Sequence, residues 1–169
     1  MGCDMLFAES DPRHSPEAIT TMTIESELED WVRENLPIYE FMDLKVLSVS
    51  EGLYKCFVPL SGNTGNHIKT VHAAFQWASA EILGGLAVLS TRRDDKYVPV
   101  VKGLSIEFKR PALTDITSEA LFTSKQVEVM NISLESTGRY DFELASTIRD
   151  SAGEVVAEAI GQYAVRTLG

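Results

Sequence analysis

The chain has 169 residues, 44% of them apolar, and 15 Lys and Arg against 25 Asp and Glu give a net charge of -10. Such a length and apolar content suit one domain with a substantial core, while so acidic a chain lacks the positive surface that nucleic acid or an anionic membrane would require. A small molecule or another protein is the expected partner, and the two cysteines, Cys3 and Cys56, show no metal or disulfide spacing, which fits a reduced, cytoplasmic protein.

Residues 1–22 read as an N-terminal tail, without the basic start and apolar run of a secretory signal, and the domain is expected over residues 23–169. Met1-Gly2-Cys3 does not make a myristoylation start, because Leu6 stands where Ser or Thr is needed. Ser26 and Glu29 have capping-box spacing, and Ile24, Leu28, Trp31 and Val32 keep a helical stripe until Pro37 stops it, which predicts a short first helix acting as a lid or brace. Two strands follow over Leu44–Ser50 and Leu53–Leu60, joined by a turn at Glu51-Gly52.

Next comes the most informative segment. From Ala73 to Thr91 the chain is apolar and uncharged except for Glu81. A helix apolar nearly all round belongs in a core, where an ionised acid is costly unless it is paired or has a chemical role. The stretch from Val71 to Leu89 approaches the length of a membrane span, but Gln76 and Glu81 near its centre and the amphipathic strands around it argue against one. Gly84-Gly85 either lets another backbone approach closely or ends the helix early, with equal weight on each.

Beyond the helix the period switches to two. Leu104, Ile106 and Phe108 alternate with polar residues until Pro111, and Ile116 to Met130 continues in strand-compatible residues. Tyr140, Phe142, Leu144, Ser146 and Ile148 alternate again, Asp150 to Gly153 forms a turn, and Val155 to Arg166 pairs back. The predicted order is therefore helix, two strands, one long buried helix and four strands, an α+β arrangement with antiparallel strands laid on the helix.

Several chemistries lack their motifs. Gly103 to Glu107 has no second Gly for a nucleophile elbow, His67 and His72 are five apart with no third metal ligand, and the loop Ser61–Thr70 lacks the Gly-Lys-Ser/Thr ending of a triphosphate cradle. Remaining are Asn66, His72, the amides of Ala73 and Ala74 that open the helix, and Glu81. A helix N-terminus presents unpaired N–H groups and positive dipole to an oxygen gaining charge, and burial among Trp77, Ala78, Ile82 and Gly85 should raise the Glu81 pKa toward that of a general base. Taken singly, His72 reads as a cap, Asn66 as a turn residue, and Glu81 as the buried partner of an arginine or of a tyrosine such as Tyr163.

Asn66, His72-Ala73-Ala74 six residues on, and Glu81 nine after the histidine together resemble the hotdog-fold acyl-CoA thioesterases of the PaaI type, as do Leu104–Ala112 and Asp150–Ala157. The resemblance covers about residues 38–166, with Lys69 where the family usually has Gly and Ala73-Ala74 in place of its Gly pair. It implies an antiparallel sheet of five to six strands wrapped around the central helix, a homodimer or a dimer of dimers, and no cofactor or metal. It also implies hydrolysis of an acyl-CoA or acyl-carrier-protein thioester at the dimer interface. Glu81 would be base or nucleophile, Asn66 and His72 would order substrate or water, and Ala73 would polarise the carbonyl. Ala74 and Trp77 would line the substrate site, and Lys102, Lys109 and Arg110 are candidate contacts for CoA phosphates, because so acidic a protein needs local positive charge to hold a polyanion. The alternatives are a hydratase or dehydratase on the same fold and a non-catalytic acyl-thioester binding module.

Overall fold

A computed structural model describes residues 22–50 and 52–167, so most of the expected tail lies outside the described residues. Helix α1, Ile24–Asn35, begins three residues earlier than the Ser26–Glu29 spacing implied. Thr23 is the N-cap: its side chain accepts from the Ser26 N–H at 3.3 Å, and the Ser26 hydroxyl accepts from the Thr23 N–H at 3.0 Å. Two acceptors meet two of the otherwise unpaired donors of the first turn, so the box closes around Ser26 rather than starting from it. Leu36 ends the helix, and Pro37, whose fixed φ suits a first helical position, opens a five-residue helix α2, Pro37–Phe41, that sequence reading did not foresee.

Strands β1, Lys45–Ser50, and β2, Leu53–Val58, form the expected hairpin, with Gly52 at φ +79° where a side chain would be strained. Helix α3, Ala73–Thr91, has the predicted bounds, and Gly84-Gly85 does not end it. Gly84 permits a close approach: a Cβ built there would lie 2.3 Å from the Tyr163 ring. Strand β3, Tyr97–Phe108, is longer than its alternating half, because Pro99 and the Val100-Val101 pair obscure the period in its first turn of sequence. Strand β4 stops at Leu121.

Residues after β4 correct the prediction. The run expected to stay extended to Met130 instead folds as helix α4, Ser124–Thr137. Thr123 accepts from the Gln126 N–H at 3.3 Å and Gln126 Oε1 accepts from the Thr123 N–H at 2.9 Å, while Gly138 at φ +72° closes the far end. Strands β5, Arg139–Asp150, and β6, Val155–Thr167, complete the fold around a turn with Gly153 at φ +83°.

All pairings are antiparallel, in the order β1-β2-β4-β5-β6-β3. Helix α3 packs against every one of the six strands. That enclosure explains how a helix with the length and hydropathy of a membrane span is accommodated, with Leu83, Leu86, Ala87 and Val88 fully buried. Phe122, Phe142 and Tyr163 meet in series at centroid spacings of 5.0 Å, the first pair tilted and the second stacked. The two sheet edges differ. On β1 the Val46 and Val49 N–H groups donate to the Glu29 and Glu25 carboxylates of α1, at 2.8 and 3.4 Å, whereas β3 pairs on one side only, with β6.

Candidate active site

The loop before α3 is held by its own polar groups. Asn66 Oδ1 accepts from the Ile68 and Thr70 N–H groups at 3.1 Å each, and its Nδ2 donates to Thr70 Oγ1 at 2.8 Å. Asn66 is thus an organiser of the turn. Lys69 takes φ +61°, the left-handed conformation that glycine adopts freely, which accounts for the glycine the resemblance would place there. The His72 N–H donates to the Thr64 carbonyl at 2.8 Å and fixes where the helix starts.

His72 is the N-cap of α3, in extended conformation, and its Nδ1 accepts from the Ala74 N–H at 3.0 Å. Ala74 is therefore not a free donor, contrary to expectation. Ala73 differs: among the described residues its N–H has no hydrogen-bond partner, and it is exposed at the positive end of a 19-residue helix. One amide, not two, is available to polarise an oxygen there.

Glu81 lies elsewhere on the helix. The Tyr39 hydroxyl, itself only 4% exposed, donates to Glu81 Oε2. The Tyr163 hydroxyl donates to the Glu81 main-chain carbonyl at 2.9 Å, so Tyr163 holds the backbone and Tyr39 the carboxylate. Burial raises the Glu81 pKa and the Tyr39 bond opposes that rise. The Tyr39 phenol is itself pushed far up, first by burial and then by the adjacent carboxylate, so it stays a donor. No described Lys, Arg or His forms an ion pair with Glu81. An acid kept in apolar surroundings without a compensating cation is a candidate for chemistry.

A cavity of 660 Å³ opens beside it, between α1–α2, α3 and the start of β3. Arg92 is the one cation on its wall, and Asp95 at 3.1 Å and the Tyr97 carbonyl already engage it. Glu81 and Tyr39 line the cavity; Asn66, His72, Ala73 and Ala74 do not. Nine residues at about 1.5 Å rise separate Glu81 from His72 by roughly 13 Å along the axis, so one chain does not bring the predicted set together.

The signature of a family described as a domain of unknown function, DUF4442, spans residues 27–165. The chain belongs to that family. This DUF4442 chain matches no curated protein. Among solved structures it is similar to a Pseudomonas aeruginosa protein of unknown function, called a probable thioesterase, at 26% identity, with 87% of this chain and 99% of that one covered and a TM-score of 0.75. A protein of unknown function from Chlorobaculum tepidum matches at 17% identity over 86% and 95% of the two chains, with a TM-score of 0.76. A Haemophilus influenzae thioesterase matches at 14% identity over 88% and 93%, with a TM-score of 0.65. The six antiparallel strands wrapped around α3 are the hotdog fold of these thioesterase structures.

The other predicted contacts of the DUF4442 chain are already occupied. Trp77 Nε1 donates to the Leu104 carbonyl at 3.3 Å and braces α3 on β3. Lys109 sits between Glu107 at 2.6 Å and Glu158 at 3.1 Å, Arg110 is 2.8 Å from Glu154, and Lys102 is 3.2 Å from Asp141. Each cation is balanced by the chain's own carboxylates. Tyr39 was missed because it lies in a helix too short to show a period, 42 residues from its partner; only the Pro37 start signal pointed to that helix.

Proposed function

We propose that the protein is a thioesterase hydrolysing an acyl-CoA or acyl-carrier-protein thioester. The observation that carries this is Glu81: a half-buried carboxylate with no cation paired to it among the described residues, hydrogen-bonded by Tyr39, on the central helix of a hotdog fold and at the wall of a largely apolar cavity. Ionised Glu81 takes a proton from water as the water oxygen bonds to the acyl carbon. The tetrahedral oxyanion is met by the Ala73 N–H at an α3 N-terminus. The carbon–sulfur bond then breaks, and the thiolate leaves with the proton returned from Glu81. A thiol with a pKa near 8.5 needs no strong acid to depart.

Because Ala73 and Glu81 are separated along one helix, the oxyanion donor for each Glu81 comes from a second copy of the chain. The free edge of β3 supports such pairing, with twelve residues open on one side. The test is release of free thiol from a panel of acyl-CoA and acyl-carrier-protein thioesters, with Glu81→Gln beside the wild type. Turnover by the wild type and its loss in a folded Glu81→Gln variant is the expected result. No thiol from any substrate, or equal rates in the two proteins, overturns the proposal.

A further inference from the structure

Along α3 the residues Glu81, Gly85, Leu89 and Arg92 recur every third or fourth position and are half-buried, while the neighbours Ile82 to Gly84 and Leu86 to Val88 are buried. They form one stripe down the helix, and all four line the cavity. Trp31, Leu36 and Ile38 of the α1–α2 segment make the facing wall, and Val98 and Val101 of β3 the third side. From Glu81 to Arg92 the stripe runs about 16 Å, comparable to an extended acyl chain of about a dozen carbons.

Gly85 keeps this groove open. A Cβ built at Gly85 meets only Ile82 Cδ1, at 3.6 Å, an ordinary contact, whereas one at Gly84 would overlap the Tyr163 ring. Packing within the chain therefore explains Gly84 and leaves Gly85 unexplained, although a mid-helix glycine is unfavourable relative to alanine. What the missing side chain provides is space beside Glu81.

Apart from the Trp31 indole N–H and the Asp95 carboxylate, which is 96% exposed at the Arg92 end, the wall offers few free polar groups. The Tyr39 and Tyr163 hydroxyls are spent on Glu81, and Arg92 on Asp95 and the Tyr97 carbonyl; the one nitrogen Arg92 leaves unpaired, Nε, is sealed from solvent. A hydroxyl or carboxyl set midway along the groove, between Gly85 and Leu89, would be desolvated without a partner. The CoA phosphates find no free cation there either.

We infer that the groove binds the hydrocarbon of unsubstituted, straight-chain acyl groups of medium to long length, carbonyl end at Glu81 and methyl end toward Leu89 and Arg92, and that Gly85 sets the length accepted. The identity of the headgroup rests on the thioesterase reading; the selection for hydrocarbon rests on the groove. Calorimetric titration with non-hydrolysable thioether analogues of butyryl-, octanoyl-, dodecanoyl- and 6-hydroxydodecanoyl-CoA tests it, run beside thiol release from the matching thioesters. For the wild type the dodecanoyl analogue should bind at least about tenfold tighter than the butyryl and the 6-hydroxy analogues. Gly85→Leu should reduce the dodecanoyl-to-butyryl affinity ratio by about tenfold or more, and Leu89→Trp, which obstructs the methyl end, provides the same measurement if Gly85→Leu does not fold. Equal affinity for short and long chains, undiminished binding of the hydroxylated chain, or a ratio unchanged in the folded variants overturns the inference. Length-dependent binding without thiol release upholds it and removes the thioesterase reading, and thiol release without length dependence does the reverse.

Discussion

Glu81 works against the stability of the fold that holds it. Burial raises its folded-state pKa above the unfolded value, so the stability linked to this group is complete below the unfolded pKa and is lost as pH rises through the folded one. Glu81→Gln keeps an acceptor for Tyr39 and sheds the charge, so it should melt higher than the wild type at pH 8, by about 1.4 kcal/mol for each pKa unit of elevation, with the gap closing near pH 4. Melting curves at the two pH values check this. The same shift places the acid limb of the proposed activity above the ordinary glutamate value of 4.5. Tyr39→Phe removes the bond that restrains the shift, so that limb should move to higher pH and kcat at neutral pH should fall about tenfold with little change in KM. An unmoved pH profile would make Tyr39 a packing residue only. At the other end of the helix, Ala73 stands at the first helical position behind an extended His72, where proline is tolerated. Ala73→Pro deletes one N–H and should lower kcat about a hundredfold while the melting temperature holds, if that amide is the oxyanion donor.

At the level of elements, the two central glycines of α3 should respond oppositely. Gly84→Ala drives a methyl into the Tyr163 ring and should destabilise by about 1–3 kcal/mol, whereas Gly85→Ala has room and should stabilise by about 0.5–1 kcal/mol; urea titrations distinguish them. What the sequence revealed follows the same logic of local against distant causes. Helix α3 was legible to the residue, because a long apolar run opened by a polar loop and carrying one acid is a local pattern. The antiparallel strands near their turns were legible from alternation and from Gly52 and Gly153. Helix α4 was not, since Val127 and Val129 alternate as in a strand; Thr123 and Gln126 held the capping signal that outweighs them. In the candidate site, Glu81 was visible as a lone charge, but its partner Tyr39 and the contrast between Ala73 and Ala74 depend on contacts and hydrogen bonds that no spacing encodes.

For the whole molecule, the proposed sharing of a site between chains predicts complementation. Coexpressed Ala73→Pro and Glu81→Gln chains, each inactive alone, should recover roughly a quarter of wild-type activity, since about half the dimers are mixed and one of their two sites is intact. No recovery despite proven chain exchange would place each site within one subunit. The unequal sheet edges bear on what kind of assembly is possible at all. With Val46 and Val49 of β1 already answered by Glu29 and Glu25, β3 is the more open of the two sheet edges among the described residues. Two copies meeting there, as proposed, would each use up that open edge, so such a pairing gives a closed pair and not the seed of a fibre. On the proposed pairing through β3 those two glutamates would serve as terminators for the sheet, and Glu25→Ala/Glu29→Ala should make light scattering rise with concentration and time where the wild type's stays constant.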